Sequence, residues 1–189
     1  MHALRELDLA DEATARAVHR IGRAAYAVEA ELIGFPGIPA LSETLAQLRA
    51  QPCRWLGALP GEGAPTGPGA PAGHGTCTAD GAPPGEGAPV RGGARTGGPA
   101  LAAFVAWSTA PEGVTVERVC VCPAWFRHGL AARLLRHLLD ALAPTGDVRV
   151  TTGAANAPAL ALYSRLGFTR QADVRPEPGL TLARFVLRR

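Results

Sequence analysis

The chain has 189 residues, of which 47% are hydrophobic and 19% are charged, so it is long enough for one ordinary domain with a buried core. The net charge is only +3, and all nineteen basic residues are Arg, scattered along the chain without interleaved aromatic residues. Because a nucleic-acid-binding protein is expected to cluster its basic residues, we expect no nucleic-acid partner.

The sequence also argues against a membrane segment and a metal site. No apolar run approaches the roughly 20 residues that cross a bilayer, and the N-terminus lacks the apolar stretch of a signal peptide. We therefore expect no membrane partner and a cytoplasmic location. Thiols stay reduced in the cytosol, and Cys120-x-Cys122 lacks the usual metal-ligand spacing, so we expect no metal site.

The first elements along the chain are a strand and a long helix. Residues 3–9 predict a short strand, and Asp11 is placed to cap the helix that follows. Apolar residues recur at steps of three and four positions from Val18 to Leu32, which predicts one buried helix face. The Gly- and Pro-containing segment 34–39 ends this helix.

A second, shorter helix and a strand come next. Ser42 is the predicted cap of a helix that runs to about Ala50. Residues 54–59 predict a strand. About half of the residues in the segment 60–99 are Gly or Pro, and it has almost no large apolar residues. Such a segment cannot bury enough surface to offset its chain entropy, so we expect a disordered insertion between two strands of a hairpin.

The remaining elements alternate between strands and helices. Residues 101–108 and 113–122 predict an antiparallel pair, and a leucine-lined helix follows Gly129. Asn156 is placed to cap another helix, which Gly167 ends with a left-handed cap. Further strands are predicted at residues 148–151, from Phe168 onward, and at 182–187.

The turn ahead of the leucine-lined helix has the features of an anion site. A strand ends at Val121-Cys122-Pro123, and small residues lead into the helix, whose free N–H groups and dipole favour a negative charge. Gly129 and Ala131 allow close approach, Arg127 and His128 can add charge-assisted hydrogen bonds, and a diphosphate is the natural ligand. The alternative is a plain strand–helix connection. The candidate phosphate-binding residues are Arg127, His128, Gly129, Leu130, Ala131 and Ala132.

A second segment runs Asn156-Ala157-Pro158-Ala159-Leu160-Ala161-Leu162-Tyr163-Ser164-Arg165-Leu166-Gly167-Phe168. Taken by itself, Asn156 is predicted to be a helix cap, and Tyr163 is predicted to be a tyrosine of the core. In this order and spacing, the two segments resemble the GNAT superfamily of acetyltransferases. The first resembles the pyrophosphate-binding motif [Q/R]-x-x-G-x-[G/A], and the second resembles the Asn…Leu-Tyr-x-x-x-Gly-Phe motif. The resemblance covers residues 100–170, and element order extends it to residues 3–59.

The resemblance implies a mixed α/β fold of the α+β type. It also implies that residues 1–189 form a single N-acetyltransferase domain. Its sheet is expected to be mixed and mostly antiparallel, with six to seven strands, a splayed central pair and about four flanking helices. The sequence departs from the motif at Phe126, which stands where Gln or Arg is usual. Arg127 is then the neighbouring candidate for the phosphate contact, and Phe126 is expected to pack under the loop.

The resemblance further implies acetyl transfer from acetyl-CoA to a primary amine, with both substrates bound together and no metal. Backbone groups of Val119, Cys120 and Val121 would bind the pantetheine arm, and an N–H near Val121 would polarise the thioester carbonyl. Asn156 joins the cofactor-binding residues. Tyr163 would protonate the leaving thiolate.

The amine must lose a proton, and Glu117 is the candidate base because we expect it to share a strand face with Val119 and Val121. The alternative is a solvated or Arg-paired glutamate. In this family the residues between the first two helices, roughly 26–41 here, usually cover the acceptor pocket, and Tyr26 and Glu29 are the candidate substrate residues. The alternative for the glutamate is a solvated helix residue. The acceptor is a small-molecule or peptide amine, and a homodimer is common in the family.

Two other functions stay open at this point. One is a non-catalytic acyl-CoA-binding regulatory domain of the same fold, although such a domain needs neither Tyr163 nor Glu117. The other is a nucleotide-binding module, but the sequence has no G-x-x-x-x-G-K-[ST] motif and no G-x-G-x-x-G between a strand and a helix.

Overall fold

The computed structural model of this chain describes residues 2–60 and 101–189, which form alternating strands and helices. In chain order these are β1 (Ala3–Glu6), α1 (Glu12–Ile33), α2 (Leu45–Arg49), β2 (Arg54–Leu59), β3 (Ala103–Ala110), β4 (Gly113–Val121), α3 (Leu130–His137), β5 (Val148–Gly153), α4 (Ala157–Arg165), β6 (Thr169–Arg170), β7 (Val174–Glu177) and β8 (Leu180–Leu187).

The strands form one sheet in the order β1-β2-β3-β4-β5-β8-β6, and β7 pairs with β8. All neighbours are antiparallel except β4 and β5, which are parallel. The mixed, mostly antiparallel sheet predicted from the sequence is therefore confirmed. It has eight strands, where six to seven were expected, because the short strand β7 was not predicted.

The caps of the first two helices follow from local hydrogen bonds. Asp11 accepts a bond from the N–H of Thr14 at 2.9 Å, as predicted, and α1 ends at a left-handed Gly34. Ser42 is not the cap of α2, because its N–H and its hydroxyl both donate to the carbonyl of Pro39 in a 3₁₀ turn. Thr44 takes that role in a capping box with Gln47.

The strands on either side of the predicted insertion pair as a hairpin would. β2 and β3 are antiparallel from Arg54 opposite Trp107 to Ala58 opposite Ala103, and the N–H of Ala102 donates to Ala58 O at 2.9 Å. Residues 61–100, which contain almost all of the predicted insertion, lie outside the described residues.

The later helices begin and end where the sequence predicted. The Asn156 side chain accepts a bond from the N–H of Ala159 at 3.2 Å, and Gly167 has φ +86° after α4. α3 continues as a π-helical turn over Leu138–Leu142. Within residues 2–60 and 101–189, no helix has both the length and the apolar character that a membrane span requires.

The sheet has a hydrophobic core on each face. One core places Val105 and Trp107 of the sheet against Leu134 and Leu135 of α3, and it extends to Tyr163 of α4. The other core places Phe104, Ala106 and Cys120 against α1 and α2. Helices thus cover both faces, and the strand alternation decides which side chains meet which helices.

The parallel pair β4–β5 separates partway along its length. Pairing covers only Val114 to Val116 opposite Val148 to Val150, although both strands continue beyond it. On the other edge of β4, the register with β3 shifts between Ala106 and Trp107, which leaves Glu117 as the extra residue of a β-bulge. This is the splayed central pair that the sequence predicted.

Gly113 lies at the end where β4 and β5 pair, and we predict that replacing it destabilises the fold. It has φ +127°, and a Cβ atom there would lie 2.2 Å from the carbonyl oxygen of Asp147, to which Val114 N–H donates. Gly113→Ala should lower the free energy of unfolding by about 3 kcal/mol or more, measured by urea titration. Gly179→Ala is the control, because φ is +85° but no atom lies within 4 Å of its Cβ position. It should cost about 1 kcal/mol. Equal losses would contradict the role given to the close approach.

Candidate active site

The gap between β4 and β5 presents backbone amides that have no strand partner within residues 2–60 and 101–189. Cys122 N–H donates to Ala102 O at 2.8 Å on the β3 edge. Because successive N–H groups of a strand point to opposite edges, those of Val121 and Val119 point into the gap. The amide of Cys120 points to β3 instead. Among the three predicted pantetheine contacts, the structure therefore brings the amides of Val119 and Val121 to the gap.

The β-bulge decides which amides reach the gap, and it also corrects the predicted position of Glu117. Ahead of the bulge the even-numbered Val114 donates toward β5, and beyond it the odd-numbered residues do so. The prediction that Glu117 shares a face with Val119 and Val121 was wrong, because the extra residue reverses the alternation. Its carboxylate instead accepts a bond from the Ser108 hydroxyl at 2.6 Å, on the α1 and α2 side of the sheet.

The turn before α3 has the geometry of an anion cradle. α3 has no side-chain cap, in contrast to α1, α2 and α4, and its N-cap Gly129 has φ +74°. Its first internal bond runs from Arg133 N–H to Gly129 O, so the amides of Leu130, Ala131 and Ala132 are left for a ligand. Arg127 is also left-handed, at φ +65°, which is uncommon for a residue with a Cβ. Arg127, His128 and Gly129 are all exposed.

Hydrogen bonds and ring contacts hold this loop, but Phe126 is not among its buried residues. His128 Nδ1 donates to Phe126 O at 2.9 Å, and the His128 ring lies 5.6 Å from the Trp125 ring in an edge-on contact. Phe126 itself is 38% exposed, so the expectation that it packs under the loop was wrong. The 3₁₀ turn over Pro123–Trp125 directs Trp125 inward and leaves Phe126 on an extended backbone at the surface.

Glu29 crosses the far end of the gap and joins α1 to β5 and α4. One of its carboxylate oxygens, Oε1, accepts bonds from the Thr152 hydroxyl at 3.1 Å, the Gly153 N–H at 3.3 Å and the Asn156 Nδ2 at 3.0 Å. The Asn156 side chain therefore makes two hydrogen bonds. Its Nδ2 donates to Glu29, and its Oδ1 accepts from Ala159 as the cap of α4. Thr152 and Gly153 were missed by the sequence, since contacts across more than 120 residues leave no local pattern.

Tyr163 is buried where the core beneath α4 meets the gap. Only 4% of it is exposed, and its ring contacts those of Phe168 and Phe185 at 5.8 and 5.5 Å. Burial raises the pKa of its phenol, and the nearby charge of Glu29 raises it further. The hydroxyl therefore keeps its proton at neutral pH.

Tyr26, Cys120 and Arg118 lie together on the α1 side of the gap. The Tyr26 hydroxyl is hydrogen-bonded to the Cys120 thiol, and burial raises the pKa of Tyr26 and raises that of Cys120 to about 12. The Arg118 guanidinium lies 5.9 Å from the centre of the Tyr26 ring. Of the two predicted substrate residues, Tyr26 thus lies over β4 and Glu29 over the end of β5.

Two known proteins are similar to this chain in sequence. The chain is 28% identical to the UPF0157 protein YqkA of Bacillus subtilis over 177 residues, which are 93% of this chain and 41% of that protein. It is 38% identical to the [Ribosomal protein bS18]-alanine N-acetyltransferase of Salmonella typhimurium over 77 residues, 40% of this chain and 51% of that enzyme. The matched regions therefore span about half or less of these relatives.

A solved structure shares the fold. The PaiA N-acetyltransferase of Thermoplasma acidophilum, in complex with coenzyme A, superimposes with a TM-score of 0.61 at 10% identity, covering 97% of this chain and 98% of that one. Residues 45–168 match the sequence profile described as the Acetyltransferase (GNAT) family. That match covers α2 to the end of α4, including both strands of the gap and the turn before α3. The chain belongs to the GNAT family of acetyltransferases.

Proposed function

We propose that this protein transfers an acetyl group from acetyl-CoA to a primary amine by direct attack in a ternary complex. The observation that carries the proposal is the continuity of the β4–β5 gap with the uncapped turn before α3. The coenzyme A complex of the PaiA enzyme and the alanine N-acetyltransferase activity in the name of the Salmonella relative support the cofactor and the amine. Membership of an acetyltransferase family does not favour the non-catalytic alternative.

Coenzyme A would bind along the edge of β4 and over the turn. Its diphosphate would accept bonds from the amides of Leu130, Ala131 and Ala132, where the helix dipole also favours negative charge. Arg127 and His128 are exposed beside these amides and can add charge-assisted bonds. The pantetheine arm would pair with β4 beyond Val116, as a strand would.

The reaction forms a C–N bond and breaks the C–S bond of the thioester. The amine nitrogen attacks the carbonyl carbon, and the Val121 N–H stabilises the negative charge that develops on the carbonyl oxygen. When the intermediate collapses, the thiolate leaves and takes the proton from the Tyr163 hydroxyl. The tyrosinate regains a proton, through water, from the nitrogen of the new amide, which gives up its extra proton. Tyr163 can serve in this step because its hydroxyl is protonated and lies in the core beside Phe168 and Phe185, where α4 holds it in place.

Glu117 is the proposed base, directly or through water. Its carboxylate lies on the α1 and α2 side of the sheet, which is the side proposed for the acceptor. The corrected position is therefore compatible with the role. The Ser108 hydroxyl, at 2.6 Å, orients the carboxylate.

The cofactor site is tested by placing a negative charge in the cradle. Ala131→Asp should weaken coenzyme A binding about tenfold or more, measured by calorimetry, because the new carboxylate repels the diphosphate. Ala141→Asp is the control, since Ala141 is exposed in the π-helical turn at the opposite end of the same helical segment. Absence of coenzyme A binding to the unaltered protein would refute the proposed function.

Tyr163→Phe tests the acid. The variant removes one oxygen and keeps the ring contacts with Phe168 and Phe185, so thermal unfolding should change little. We expect kcat to fall by about 100-fold or more while the Kd of coenzyme A stays the same. An unchanged kcat would remove Tyr163 from the mechanism.

Glu117→Gln tests the base through the pH dependence of kcat/KM. If Glu117 accepts the proton, the acidic limb of the profile should disappear or shift in the variant. Ser108→Ala is the matched control, because it keeps the carboxylate and removes only its hydrogen-bond donor. The same acidic limb in Glu117→Gln and in the unaltered enzyme would mean that another group is the base.

A further inference from the structure

Arg118 is a cation on the α1 side of the gap, beside Tyr26, and it is paired with Glu43. Its Nη1 donates to Glu43 Oε2 at 2.9 Å and its Nη2 donates to Glu43 Oε1 at 2.8 Å. The two side chains are only 12% and 11% exposed. The Glu43 carboxylate offsets the charge of Arg118, so Arg118 attracts an acidic group of a substrate less than an unpaired arginine would.

Glu29 is in the opposite situation. Its three hydrogen-bond donors are a hydroxyl, a backbone amide and a side-chain amide, all of them neutral. No ion pair among residues 2–60 and 101–189 includes Glu29. All three bonds also fall on Oε1, so Oε2 accepts none of them. A half-buried carboxylate without a counter-ion attracts a cation.

We propose that Glu29 binds the ammonium group of the acceptor, and that the acceptor is an amine with no carboxylate on the neighbouring carbon. This inference rests on the proposed function, because it names the substrate class of the same site. Glu29 lies at the far end of the gap, where it contacts Gly153 of β5 and the cap residue Asn156 of α4, so an amine bound at Oε2 would lie beside the gap proposed for the pantetheine arm.

The charge of the acceptor side excludes free amino acids. An α-amino acid carries its carboxylate two bonds from its nitrogen, so an ammonium group held by Glu29 would bring that carboxylate close to Glu29. Glu117 lies on the same side of the sheet, and Glu43 already engages Arg118. Like charges brought together at a binding site weaken binding. An amide or alkyl group in the same place carries no such penalty.

Alaninamide and alanine form a matched pair of test compounds that differ in this one group. We expect kcat/KM, expressed per concentration of free amine, to be about 100-fold higher for alaninamide. In Glu29→Gln, whose side chain can still accept the three bonds, the preference should fall below about tenfold. Glu31→Gln is the control, because it removes the same charge two residues away at an exposed position. It should leave the preference unchanged. Differences in intrinsic amine reactivity cancel when the preference is compared between variants.

Binding is measured separately, by calorimetric titration of each compound into the complex with coenzyme A, where no reaction occurs. Binding of alaninamide but not of alanine supports the inference. Equal binding, preferential binding of alanine, no binding of either compound, or a preference that survives in Glu29→Gln would each overturn it. These failures leave the proposed function standing as long as coenzyme A itself binds, whereas loss of that binding would refute the proposed function first.

Discussion

β4 is hydrogen-bonded to a strand on both edges over its first half and on one edge over its second half. The change occurs at the bulge, where Glu117 adds one residue opposite β3 and the pairing with β5 has just ended. The amides of Val119 and Val121 then face the gap without a strand partner among the described residues. Because unpaired backbone groups are costly when buried, this edge requires either water or a ligand that can pair with it. The cofactor arm in the proposed function is such a ligand.

The same separation lets the two helical layers touch. In a continuous sheet, strand pairing would keep α1 on one face apart from α4 on the other. Here Glu29 of α1 reaches the cap residue of α4 through the end of the gap. The packing at this point is close, since a Cβ atom on Gly153 would lie 2.5 Å from Ile33 of α1. The position of the acceptor side therefore depends on where α1 ends, which the left-handed Gly34 determines.

The features that were predicted correctly from the sequence depend on residues that are close together along the chain. Asp11, Asn156 and Gly167 act on residues within a few positions, and the structure confirms all three. Ser42 was a wrong choice of cap because Thr44, two residues later, caps α2 instead. Thr44 and Gln47 form a reciprocal pair of hydrogen bonds there. The bulge could not be predicted, since it depends on the register between two strands and alters the alternation within one of them. The Glu29 contacts could not be predicted from the sequence either, because they join positions more than 120 residues apart.

The burial of Tyr163 raises an energetic question for its proposed role. A phenol with a raised pKa is a weaker acid than an exposed one, and an ordinary thiolate, with a pKa of about 8.5, would not take its proton readily. The thiolate of coenzyme A would nevertheless form in the gap beside β4, and Cys120 of that strand is a thiol whose pKa burial alters. Burial there raises the pKa of the Cys120 thiol to about 12. A leaving thiolate in the gap would be made more basic by the same desolvation, so the donor and acceptor pKa values rise together and proton transfer stays feasible. Water entering the gap would stabilise the thiolate and remove this match, so proton transfer from Tyr163 depends on how far the site excludes water.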